Sequence, residues 1–166
     1  MKRKRLLLIF LIVFHAYNSY SYDTNSVITT AIKEIGNGEQ NANNAGSNVK
    51  RYTQGKEVPW CAGFVSYCLK QANINTISYS LSAKKIWNEA KQLNITTKIP
   101  KAGDLIVFWR EQPNSWKGHI GIIEVVNDKT IIAIEGNVGK YPAKVKRVTY
   151  QINNIPRLLG FIRVNK

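Results

Sequence analysis

The sequence predicts an α+β domain, with N-terminal helices packed on a C-terminal antiparallel β-sheet. Three observations predict it. Apolar residues recur at helical spacing as far as about Leu93. After Pro100 the pattern changes to β-branched and aromatic runs of strand length. Short turn signals separate those runs, so neighbouring strands return antiparallel rather than through long crossovers.

The first 21 residues stand apart from that domain. Lys2, Arg3, Lys4 and Arg5 precede an unbroken apolar run from Leu6 to Phe14, and Ser19-Tyr20-Ser21 follows with small residues at signal-peptidase spacing. This is the layout of a secretory signal peptide. Nine apolar residues fall far short of the ~20 that span a bilayer. The expectation is therefore a secreted or periplasmic protein, with 1–21 removed and 22–166 forming one domain. Removal takes four of the 24 Lys and Arg and none of the 10 acids. The mature surface stays strongly cationic and favours polyanions. Lys and Arg are spread along the chain with no nucleic-acid motif, so no nucleic-acid partner is expected.

Within the domain, 25–36 reads as a helix with Val27, Ala31, Ile32 and Ile35 near helical spacing. A polar Gly/Asn-rich loop follows, and 49–55 has no clear pattern. Pro59 introduces a second helix from Trp60 to about Ala72, with Ala62, Val65, Cys68, Leu69 and Ala72 on one face. Ser82 or Ala83 opens a third helix. The expected strands are 104–109, 119–126, 130–137, 145–151 and 158–164.

The two cysteines, Cys61 and Cys68, fall on the second helix. Seven residues at ~1.5 Å rise set them roughly 10 Å apart, beyond the ~7 Å a disulfide allows between Cα atoms. Cys68 reads as a core residue. Cys61 sits in the first helical turn, where free backbone N–H groups and the helix dipole stabilise a thiolate.

The expected mature chain holds one histidine, His119, in Lys117-Gly118-His119-Ile120-Gly121 at the start of a strand. The next strand ends Glu135-Gly136-Asn137, and alternation puts Glu135 and Asn137 on one face. With Asn127-Asp128-Lys129 as a three-residue loop, Val126 pairs with Thr130, Val125 with Ile131 and Ile123 with Ala133. His119 then lies across from Asn137, with Glu135 as its diagonal neighbour. A nucleophile, a base and two candidate orienting groups are thereby in place. Trp60, Trp109 and Trp116 are candidate walls of a substrate groove.

Pro59-Trp60-Cys61-Ala62-Gly63-Phe64-Val65-Ser66, Gly103 to Trp109, Lys117 to Gly121 and Glu135-Gly136-Asn137 together resemble the CHAP family, the cysteine, histidine-dependent amidohydrolases/peptidases related to NlpC-type endopeptidases. Glu34-Ile35-Gly36, Asn43 to Gly46 and Arg157 to Phe161 extend the resemblance over about 27–163. It implies a papain-like α+β fold, with the cysteine on a helix packed against the sheet that carries the histidine. It implies hydrolysis of a peptidoglycan amide, by an N-acetylmuramoyl-L-alanine amidase or an endopeptidase. Carried over by position, Cys61 matches the nucleophile, His119 the base, and Glu135 and Asn137 the polar residues completing the site. Some relatives hold calcium on acidic residues early in the domain. This chain has no such cluster before Cys61, so neither metal nor cofactor is expected. The expected partners are peptidoglycan and anionic wall polymers, met by a monomer. Two rivals stand beside this reading: a non-catalytic wall-binding module on the same fold, and a basic protein of nucleic-acid or membrane surfaces. The second accounts for the charge but not for the cysteine–histidine pattern.

Overall fold

The computed structural model describes residues 24–164; the expected leader, 1–21, lies outside them. Four helices come first: α1 (Thr24–Lys33), α2 (Ser47–Thr53), α3 (Cys61–Gln71) and α4 (Ala83–Gln92). Six strands follow: β1 (Thr96–Thr97), β2 (Leu105–Trp109), β3 (Gly118–Val126), β4 (Thr130–Val138), β5 (Lys144–Gln151) and β6 (Leu158–Ile162). They form one antiparallel sheet in the order β1-β6-β2-β3-β4-β5. The α+β expectation holds.

The strand period explains the layering. Leu105, Val107, Ile120, Ile122 and Ile134 join Trp60, Phe64 and Val65 in the core between helices and sheet. The alternate residues Ile106, Phe108, Ile123, Ile131, Ala133 and Phe161 form a second cluster, partly covered by Tyr150, Ile152 and Leu158. β2 is buried on both faces, which is why it reads as a continuous apolar run.

The structure departs from the sequence reading in three places. The unpatterned 49–55 segment belongs to α2, a seven-residue helix closed by Gln54 in the left-handed region at φ 55°. Its inward residues Val49 and Tyr52 make too short a stripe to register as a period. β1 is only two residues long and is held by pairing with β6. The β3–β4 hairpin keeps its three-residue loop, but Val126 pairs with Ile131 and Val125 with Ile132. A bulge at Glu124 absorbs one residue, and from Ile123–Ala133 to Gly121–Glu135 the expected register returns. Arg147 of β5 holds Glu124 at 2.7 and 2.8 Å, outside the sheet's apolar layers.

The segment ahead of α3 is braced by two buried carboxylates. Glu34 accepts hydrogen bonds from Arg51, Asn37 and Tyr52. Glu39 accepts from Trp60 Nε1 at 3.3 Å, from the Asn44 N–H at 2.9 Å and from the Ala143 N–H at 2.7 Å. Buried carboxylates this well satisfied fix the residues they bridge. Here they tie the start of α3 to the strand β5 side of the sheet.

Candidate active site

Cys61 is the first residue of α3, and the N-cap position, Trp60, offers no side-chain hydrogen bond to the helix. With no capping oxygen and no acid in the first turn, the leading N–H groups remain available to an anion. Gly136 sets the approach of α3 to β4. A Cβ there would fall 2.7 Å from Phe64 Cβ and 2.9 Å from the Trp60 ring. This close contact seats the start of α3 against the sheet.

His119 lies two residues past the last β3–β4 pair, Gly121–Glu135. It shares a groove of about 370 Å³ with Cys61, Asn137, Ser82, Arg110 and Trp116. Its Nε2 lies 2.7 Å from Glu135 Oε2, which leaves Nδ1 for the sulfur. The other carboxylate oxygen, Oε1, accepts 2.6 Å from the Tyr150 hydroxyl. Glu135 and His119 are both buried. Gly121 makes their contact possible: a Cβ at that position would fall 2.5 Å from Glu135 Cγ.

The electrostatics follow from this geometry. Burial drives the Cys61 thiol pKa up, but a hydrogen bond from His119, the His119 and Arg110 charges and the Ala62 N–H outweigh it, and the pKa is lowered. Burial pulls His119 down; hydrogen bonds and charges from Cys61 and Glu135 win, raising it to about 9. The lowered thiol and the raised imidazole both favour the thiolate–imidazolium form of the pair. Cys68 is the opposite case. Burial lifts its pKa well above the ordinary value, and both cysteines are free.

The other sequence candidates separate. Asn137 lines the groove at φ 61°, where the β4–β5 register shifts; of the two polar candidates on β4, the one bonded to the imidazole is Glu135. Trp116 is 77% exposed and lines the groove. Trp109 borders a smaller hollow on which His119 also opens. Trp60 must be corrected: it is fully buried, stacked on Tyr52 at 5.6 Å between centroids, and walls no groove. Its apolar bulk and its bond to Glu39 place it in the core. Tyr150 and Arg110 were not legible as site residues. Tyr150 reaches the site from β5 and Arg110 from just past the end of β2, positions that only the fold brings together.

The CHAP domain family model matches residues 53–137, a stretch that takes in Cys61 and His119 and ends on Asn137. The chain belongs to the CHAP domain family. No curated protein matches this CHAP chain in sequence. Among solved structures, Ly7917 is similar at TM-score 0.52 and 16% identity, over 84% of this chain and 61% of that one. Ly7917 with the hydrolyzing product of MDP gives 0.51 and 18%, over the same shares. A protein similar to a lipoprotein, of the NLP/P60 family from Staphylococcus aureus subsp. aureus Mu50, gives 0.48 and 16%, over 86% and 41%. The CHAP chain thus spans about three-fifths of the length of Ly7917. At these identities the likeness to Ly7917 is one of fold, and that fold is the papain-like α+β arrangement.

Proposed function

We propose that this CHAP domain is an exported cysteine hydrolase that cuts an amide bond of peptidoglycan. One observation carries the reading: the hydrogen-bonded series Tyr150–Glu135–His119 ends at the thiol heading α3, on the floor of an open groove. Family membership supports hydrolysis, and the product of MDP held by Ly7917 supports a wall fragment as substrate. Export rests on the basic–apolar–small pattern of 1–21.

In this reading the Cys61 thiolate attacks the amide carbonyl, and the Cys61 N–H at the helix start faces the developing oxyanion. The His119 imidazolium gives its proton to the leaving amine. Glu135 holds the ring in one orientation and stabilises its charge, as the third member of a triad does. Water, deprotonated by the now neutral His119, then releases the acyl group. Among the described residues the groove is lined by Arg110 and Lys117 and by no carboxylate, which suits an anionic substrate.

The test is mass spectrometry of purified peptidoglycan incubated with the wild type and with Cys61→Ala. New amino and carboxyl termini in the wild-type digest alone support the reading, and their identity separates amidase from endopeptidase. Identical digests from the two proteins refute it.

A further inference from the structure

His119 also opens on a second hollow of about 180 Å³, lined by Phe108, Trp109, Arg110, Tyr150 and Arg157 among others. The chemistry above leaves this space unused. It has aromatic walls and two guanidinium groups. Arg157 lies 5.6 Å from the Trp109 ring centroid, and Arg110 borders both hollows. Among the described residues neither arginine side chain has an ion-pair partner. Two acids close in sequence or contact to the site are committed elsewhere: Glu135 to His119 and Tyr150, and Glu111 to Lys117 at 2.5 Å. Among the described residues no carboxylate lines either hollow.

Two cations facing one small space repel each other, and a bound anion recovers that free energy. Their planar forks match a carboxylate, which both can grip with directed N–H bonds. The aromatic walls suit the apolar body of a single amino-acid residue, not a polymer chain. Arg110 is close enough to Cys61 and Tyr150 for its charge to act on both, helping to lower the Cys61 thiol and opposing the rise that burial and Glu135 impose on Tyr150; it also lines the groove that holds Cys61, so the hollow adjoins the reactive sulfur.

We propose that this hollow is a carboxylate subsite, in which Arg110 and Arg157 hold a free carboxylate of the stem peptide beside the amide presented to Cys61. The inference rests on the peptidoglycan reading and deepens it, by naming the substrate group that sets the register of cleavage. Peptides whose carboxylates are amidated are then poor ligands.

The test measures binding by calorimetry to the full-length Cys61→Ala protein, using N-acetylmuramoyl-L-alanyl-D-glutamate and its diamide as probes. The diacid binds about 10- to 100-fold more tightly than the diamide, the range of a charge-assisted hydrogen-bond pair. Adding Arg110→Gln and Arg157→Gln removes the preference, and Arg110→Lys with Arg157→Lys restores part of it. Equal affinities of Cys61→Ala for the two probes, or a preference that survives both Gln substitutions, overturns the subsite. The two-probe comparison on Cys61→Ala does not depend on how the arginine variants fold. Wall digestion by the wild type separates the two readings. Cleavage with equal probe affinities removes the subsite and leaves the hydrolase. Probe preference without cleavage keeps the subsite and removes the hydrolase.

Discussion

At the residue scale, His119 is held between two anions, the Cys61 thiolate and the Glu135 carboxylate, in a buried setting that would otherwise keep it neutral. Its pKa is raised to about 9. A raised histidine contributes stability in full below its unfolded pKa, ~6.5, and loses it as pH rises through the folded value. The same proton is needed by the leaving amine, so kcat/KM falls as pH rises through about 9. Cys61→Ser removes a group that raises the imidazole, and NMR titration of that variant finds His119 below about 9; an unmoved titration contradicts the coupling. Tyr150 acts one bond further out. Tyr150→Phe frees Glu135 Oε1, concentrating the carboxylate's charge on His119. Turnover falls about 10- to 100-fold, matching the roughly 1.5–3 kcal/mol typical of hydrogen bonds to charged groups, and the alkaline limb of the pH profile moves upward. A merely structural tyrosine would lower the folded fraction and leave the limb in place. Glu135 could be read from the sequence as one of two candidates, because alternation and hairpin register are local rules. The choice of Glu135 over Asn137 as the orienting group could not, since it depends on the β4–β5 irregularity that sets Asn137 at positive φ.

At the element scale, the site is a meeting of a helix start with strand positions beyond the end of a ladder. Gly136 lets α3 settle on β4, and Gly121 gives the Glu135 side chain its place across β3. Gly121→Ala puts a methyl group against Glu135 Cγ, which must move off the imidazole. The expected result is at least a 10-fold loss of turnover, with about 1–3 kcal/mol of stability lost to overpacking, read from kinetics and chemical denaturation side by side. Full activity in that variant would mean that the Glu135–His119 contact is dispensable. The strands were legible because β2, β3 and β4 are apolar, β-branched runs of five to nine residues bounded by turn signals. The bulge at Glu124 was not, because the ion pair at Glu124 comes from Arg147 on another hairpin. α2 was hidden by its seven-residue length and by polar flanks.

At the scale of the whole molecule, the full chain's 24 basic residues against 10 acidic ones give a formal net charge of +14, and among the described residues the groove carries Arg110 and Lys117 and no acid. Under the proposed function, the charge supplies long-range attraction to anionic walls, and short-range recognition rests with the site. Sedimentation with purified sacculi therefore weakens as salt rises from about 0.05 M to 0.5 M, where the Debye length falls below about 5 Å; retention independent of salt contradicts a role for the charge. Composition made the cationic balance legible, but not the direction in which the arginines face.

The central claim is that the sulfur at the head of α3 rests as a thiolate paired with His119, while the buried Cys68 does not ionise. Iodoacetamide labelling of the folded protein at about pH 6, where an ordinary thiol is almost wholly protonated, followed by peptide mapping, tests it directly. Cys61 labels rapidly, Cys68 stays unmodified, and His119→Ala slows Cys61 to the rate of an ordinary thiol. Two cysteines that label slowly and alike in the wild type would contradict the account.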